Sequence, residues 1–138
     1  MFAGQDIPRG ACIIEYTGRP ATPKQIRENT GKYLFWTSAK TMIDGYIPAN
    51  RARFINHSCA PNCEIDIKNR RIYIFANRAI KAGEELTYDY NMEAPSPLPR
   101  DWRRRYACRC GTPRCRGTIV VRPRRRRPRT ATKRRTTR

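Results

Sequence analysis

Three cysteines fall within eight residues, Cys108-Arg109-Cys110 and then Cys115, and a fourth, Cys59, stands far upstream. Thiolates at C-x-C-x4-C spacing suit a soft cation, and zinc held by protein alone takes four ligands in a tetrahedron. The cluster therefore needs one more ligand. If Cys59 supplies it, the metal folds the C-terminal part of the chain onto its middle. Cys59 belongs to a second unusual string, Arg53-Phe54-Ile55-Asn56-His57-Ser58-Cys59-Ala60-Pro61-Asn62, which holds the only histidine. Six cysteines could instead form three disulfides. Their clustering and the lack of a signal-peptide pattern at Met1–Asp6 favour metal, and with it a reducing, intracellular compartment. Cys12 and Cys63 read as small core or surface residues and not as ligands.

Phenols are the other chemical resource. Tyr88 and Tyr90 stand two apart, so on a strand they share a face. Tyr16 and Tyr33 lie upstream. Judged singly, all four could be packing residues, and a lone histidine such as His57 is more often structural than catalytic.

The elements that carry these residues are short. Ala11 to Tyr16 is β-prone and closes at Thr17-Gly18. Thr22-Pro23-Lys24-Gln25 has the form of a capping box with proline at the first helical position, and Gly31 is a stop for that helix. Tyr33 to Thr37 reads as a strand, and Met42 to Ile47 as another broken at Asp44-Gly45. Cys63 to Ala76 is the clearest hairpin: Ile65 and Ile67 alternate with acids, Lys68-Asn69-Arg70 turns, and Ile72 and Ile74 alternate again. A turn at Lys81–Glu84 leads to a last strand, Leu86 to Tyr90. Pro95, Pro97 and Pro99 make a stiff linker, and Asp101 is a candidate cap for a short helix through Arg105. Many short strands, little helix and no βαβ alternation give a mainly β fold and exclude a Rossmann-type cofactor domain.

Five strings now stand in order: Ile14-Glu15-Tyr16-Thr17-Gly18, Tyr33-Leu34-Phe35, Arg53 to Asn62, Glu85-Leu86-Thr87-Tyr88-Asp89-Tyr90, and C-x-C-x4-C. Together they closely resemble the SET-domain protein lysine methyltransferases with a post-SET zinc motif, from about Phe2 to about Val121. The resemblance implies a fold of short β-sheets with a pseudoknot, in which the Asn-His-Ser-Cys segment threads beside the Glu-Leu-Thr-Tyr-Asp-Tyr segment, with few short helices and a C-terminal zinc knot. It implies S-adenosylmethionine on one face and a target lysine entering from the other through a narrow channel. Asn56 would meet the methionine part of the cofactor and His57 the adenine, largely through its backbone. Tyr33 would reach the cofactor end of the site, and Arg53 and Phe54 join the cofactor contacts. Tyr90 would be the catalytic tyrosine and Tyr16 a second lining phenol. Tyr88 would hold space that a second methyl group needs, giving mainly monomethylation. Cys59, Cys108, Cys110 and Cys115 would bind zinc. Residues 1–94 would form the SET domain, 95–121 the linker and zinc motif, and 122–138 a disordered basic tail. Family members carry a Gly-x-Gly strand just before the element matched by Phe2-Ala3. The sequence shows none there, so a truncated start or weakened cofactor binding is expected.

The chemistry can be argued from the groups themselves. A lysine ammonium has no lone pair, and its reference pKa is about 10.4. A desolvated channel beside a sulfonium favours the neutral amine. What remains is mainly alignment of nitrogen, methyl carbon and sulfur. Phenols stay neutral at pH 7, orient an amine by hydrogen bonds and wall a channel with apolar faces.

Charge points to partners. The formal net charge is +19, and Arg122 to Arg138 hold ten Arg or Lys and no acid, leaving +9 for residues 1–121. Such a tail suits phosphate contacts on nucleic acid, although it also reads as a solvated, arginine-biased extension. A basic substrate such as a histone or histone-like protein would need local acid, and Glu84, Glu85, Asp89 and Glu93 cluster near the proposed channel. Lys133, the tail's only lysine, is a candidate for self-methylation. No stretch approaches a membrane span. The expected setting is the nucleus and chromatin, or a bacterial nucleoid or cytoplasm. A competing reading is a catalytically impaired, zinc-stabilised nucleic-acid-binding module.

Overall fold

The computed structural model describes residues 1–28, 32–93 and 99–121. The expected helix stop at Gly31, the prolines Pro95 and Pro97, Lys133 and the basic run from Arg122 lie outside these residues. In chain order the first half holds β1 (Cys12–Tyr16), β2 (Arg19–Pro20), α1 (Pro23–Glu28), β3 (Leu34–Trp36), β4 (Met42–Asp44) and a 3-10 turn at Arg51–Phe54. The second half holds β5 (Asn56–His57), β6 (Cys63–Lys68), β7 (Arg71–Ala76), β8 (Thr87–Tyr88), β9 (Met92–Glu93), α2 (Trp102–Arg105) and β10 (Val120–Val121). The mainly β expectation holds.

Pairing is most extensive where the sequence alternates. Strands β1, β7 and β6 form an antiparallel sheet in that order. Ile72, Ile74 and Ala76 take every second place in β7 and are wholly buried. The β6–β7 turn places Asn69 and Arg70 at φ of 51° and 63°. Two successive left-handed residues are what a two-residue hairpin loop needs to match the twist of its strands. The expected inward alternation of β6 is only half realised, since Ile65 is half-buried but Ile67 is 41% exposed. β7 has a neighbour on each side, whereas β6 is the outer strand.

A second antiparallel sheet, β2-β4-β3, lies beyond Gly18. A Cβ on Gly18 would meet the Asp44 carbonyl oxygen at 2.7 Å, so glycine lets the two backbones approach. The capping box of α1 is formed: Thr22 N–H donates to Gln25 Oε1 at 2.8 Å, and Gln25 N–H to Thr22 Oγ1 at 3.2 Å. Asp101 does not cap α2 through its side chain. Its Oδ2 instead accepts from Arg105 Nε at 2.8 Å, a stronger charge-assisted partner than a helix amide.

The crossing that the resemblance implies is present as two parallel two-residue strands, with Asn56 beside Thr87 and His57 beside Tyr88. Asn62 fastens it. Its buried amide donates to the Glu85 carbonyl at 2.9 Å and its Oδ1 accepts the Thr87 N–H at 2.9 Å. Phe2 bridges Glu85 from the N-terminal segment. The last strand is shorter than expected: only Thr87 and Tyr88 pair, and Asn91 at φ 45° turns the chain into β9. β10 returns parallel to β9 and buries Val120. The core joins Ile55, Ile72, Ile74, Ile80 and Leu86 to the rings of Tyr16 and Tyr88.

Candidate active site and metal centre

Tyr16 ends β1, Tyr88 ends β8, and Tyr90 follows two residues later, so three separate constraints bring their rings together. Tyr88 and Tyr90 have ring centroids 4.9 Å apart, and Phe35 of β3 lies 5.3 Å from Tyr16 and 6.4 Å from Tyr88. Tyr16 is 3% and Tyr88 6% exposed. The Tyr16 hydroxyl donates to the Tyr33 carbonyl at 3.0 Å, and the Tyr90 hydroxyl to the Ile55 carbonyl at 2.9 Å. Burial first pushes Tyr16 up to about 12, and it also pushes Tyr88 and Tyr90 up, with neighbouring phenols adding to each shift. These are neutral hydroxyls, those of Tyr16 and Tyr90 held by backbone carbonyls. They can orient an amine and cannot serve as ready bases.

Glycine makes room for this arrangement. A Cβ on Gly45 would sit 2.5 Å from Tyr16 Cε1 and 2.6 Å from Asn50 Nδ2. Buried Asn50 holds the local turn, donating to the Gly45 carbonyl at 3.1 Å and accepting the Thr17 N–H at 3.3 Å.

Tyr33 and Tyr46 stack with centroids 5.7 Å apart. Arg53 lies over Tyr46 and over Phe54 and donates to the Ile47 carbonyl. Tyr46 and Phe54 are 66% and 52% exposed, and the exposed Asn56 amide donates to Glu85 Oε1 at 2.8 Å. Arg53, Phe54, Tyr33 and Tyr46 thus form one aromatic-cationic group, and Asn56 belongs to a separate pair with Glu85.

His57 turns elsewhere. Its Nδ1 accepts the Tyr90 N–H at 3.2 Å, which leaves its proton on Nε2, 3.4 Å from Cys59 Sγ. Burial first lowers its pKa, favouring that neutral form. The side chain therefore links a candidate metal ligand to the backbone of Tyr90. Asp89, between the two tyrosines, is gripped by Arg116, whose Nη2 donates to Oδ1 at 2.9 Å.

The sulfurs of Cys59, Cys108, Cys110 and Cys115 all lie within 4.8 Å of one another, with Cys59 and Cys108 3.7 Å apart. A zinc tetrahedron with Zn–S near 2.3 Å has edges of about 3.8 Å, so the set fits the metal. Backbone N–H groups of Arg116 and Gly117 point at Cys59 and Cys115 at 3.3 and 3.4 Å, as they would toward thiolates. Burial first pushes the Cys108 thiol up to about 12, whereas the Thr112 hydroxyl first draws Cys110 down to about 5. Sulfurs this close cannot all ionise without a cation between them, and a dication removes that conflict. Cys63 is buried and Cys12 exposed, away from the cluster as expected.

Three of the four acids assigned to a basic substrate are engaged internally: Glu84 with Arg78, Glu85 with Asn56 and Asp89 with Arg116. Phe35, Asn50 and Asn62 were missed as contributors. Phe35 lies within the Tyr33-Leu34-Phe35 string, and the buried Asn62 ends the string that begins at Arg53. Their partners are too distant in sequence to be read from spacing.

The SET domain profile matches residues 1–91. The chain is 38% identical over 125 residues to the histone-lysine N-methyltransferase ash1 of Drosophila melanogaster, covering 82% of this chain and 5% of that protein. It is 40% identical over 133 residues to the H3 lysine-4 specific histone-lysine N-methyltransferase of Schizosaccharomyces pombe, covering 86% and 14%. The crystal structure of KRYPTONITE in complex with mCHG DNA and SAH matches with a TM-score of 0.69 at 30% identity, over 86% of this chain and 26% of that one. The chain thus spans a small fraction of these longer relatives.

Proposed function

The chain belongs to the SET-domain family, and from that membership we propose that it is an S-adenosylmethionine-dependent protein lysine N-methyltransferase acting on histones or histone-like proteins. The observation that carries this reading is the meeting of Tyr16, Tyr88 and Tyr90 beside the crossing of β5 and β8. Asn56, Arg53, Phe54 and Tyr33, with the backbone at His57, would hold the cofactor, which supplies a sulfonium-bound methyl group open to attack by a neutral amine. The chain's own task is to receive the lysine, strip its water and hold its nitrogen. The ring faces of Phe35, Tyr16 and Tyr88 exclude water from the lysine stem and favour loss of its proton to solvent. Tyr90, fixed through Ile55 and His57, orients the lone pair. The Tyr88 hydroxyl fills volume that a methylated amine would need, which supports monomethylation.

Zinc at the four cysteines would be structural, since four protein ligands leave no open position. In the same reading, residues 1–94 form the catalytic domain and 95–121 the linker and zinc motif. Residues 122–138 would tether the enzyme to nucleic acid in chromatin. A binding module without catalysis is less favoured, because such a module has no use for a set of buried phenols.

The test is to incubate the protein with radiolabelled S-adenosylmethionine and mixed histones. Label should enter a histone lysine, and Tyr90→Phe should remove it. Absence of both cofactor binding and transfer in zinc-loaded protein would refute the reading.

A further inference from the structure

Charge is divided unevenly within the folded part of the chain. Residues 1–93 hold ten acids and carry +3, whereas residues 99–121 hold seven arginines, no lysine and one acid, for +6. Of the seven, Arg116 is committed to Asp89, and Arg104 and Arg105 share Asp101. Arg100, Arg103, Arg109 and Arg114 are all exposed, the first two around α2 and the others within the cysteine loop. The segment is not a free tail. The Ala107–Thr118 bridge, the Cys108 N–H to Gly117 carbonyl bond at 3.2 Å and the four-sulfur cluster close it into one knot. Arg116 and the β9–β10 pair fasten that knot beside Tyr88 and Tyr90.

We propose that the exposed arginines of α2 and the cysteine loop form a folded nucleic-acid-binding surface that grips the phosphate backbone, apart from any contribution of residues 122–138. The planar guanidinium meets the paired oxygens of a phosphate, and exposed positive charge with one nearby acid suits the dense, regular charge of a nucleic-acid backbone. Arg103 lies over the Trp102 ring, and Trp102 and Tyr106 are both half-buried, which fits backbone contact without base readout. The surface is continuous with the four-cysteine cluster, so a zinc ion joining Cys59 to the knot would also fix where bound nucleic acid lies relative to the phenols. The inference does not depend on methyl transfer and stands or falls by binding alone.

Binding of the full, zinc-loaded chain to a short fluorescent DNA duplex of mixed sequence, followed by anisotropy across a salt series, tests it. Each phosphate contact contributes about 0.9 to the slope of log affinity against log salt, so replacing Arg100, Arg103, Arg109 and Arg114 together by Gln should lower the slope by roughly 3 to 4. Replacing the same four by Lys should keep the slope near that of the parent, which separates charge loss from misfolding. Unchanged zinc content in each variant checks that the knot is intact. A slope unaffected by the Gln variant would overturn the proposal and assign binding elsewhere. So would displacement of the duplex by a poly-glutamate peptide as effective as displacement by unlabelled duplex, since that would mark a surface for acidic chains in general.

Discussion

Tyr88 and Tyr90 are two residues apart and chemically alike, yet their surroundings divide their tasks. Tyr90 has its hydroxyl on the Ile55 carbonyl and its N–H on His57, so both ends are fixed. The Tyr88 ring is packed against Phe35 and Tyr90, and its hydroxyl has no hydrogen-bond partner among the described residues. Tyr88→Phe should therefore keep the fold and the rate of first transfer while shifting products toward di- and trimethyl-lysine, read by mass spectrometry of a histone peptide. An unchanged product distribution would remove Tyr88 from that role. The phenols also set a pH signature. Burial raises Tyr16 to about 12, above its unfolded value near 10. The stability from the neutral phenol is thus fully present below about pH 10 and is lost as pH rises through about 12. Below that window methyl transfer should rise with pH as the substrate amine loses its proton. A falling limb between pH 7 and 9 in the rate profile would contradict neutral, merely orienting tyrosines.

Two-residue strands are too short to hold together unaided, so the crossing of β5 and β8 depends on side chains. Asn62 satisfies two backbone groups at once, Glu85 C=O and Thr87 N–H, from a buried position. Asn62→Ala leaves both unmet and should lower stability by about 1–3 kcal/mol in a denaturant titration. A change below about 0.5 kcal/mol would mean that water replaces the amide. What was legible at this scale had short-range chemistry: the Thr22–Gln25 capping box, the hairpin turning at Asn69-Arg70, the C-x-C-x4-C loop. Strands β9 and β10 were not, because two residues carry no period. Asp101 shows a second blind spot. A helix-capping pattern identifies an acid at the right place but not the arginine that outcompetes the helix amides for it. The partners of the acidic cluster were hidden for the same reason, since Arg78, Asn56 and Arg116 reach Glu84, Glu85 and Asp89 across gaps that spacing does not reveal.

Among the described residues, a four-cysteine cluster joins Cys59 to the segment at Cys108–Cys115, and one strand crossing joins β5 to β8. The motif strings identified which segments meet, including the distant partnership of Cys59 with the C-terminal cysteines. They did not reveal that His57 and the Asp89–Arg116 pair connect the cluster to the tyrosine backbone. Stripping zinc with a chelator should release about one metal ion per chain. It should also expose four additional thiols to a thiol reagent and lower activity together with them. A thiol count that stays constant on chelation would rule out the tetrathiolate. The most direct test of the central claim is the single-turnover rate of Tyr90→Phe on a histone peptide, measured beside its calorimetric affinity for S-adenosylmethionine. The account predicts a rate lower by about 100-fold or more with cofactor affinity within about twofold of the parent. A variant that methylates the peptide at the parental rate would contradict it.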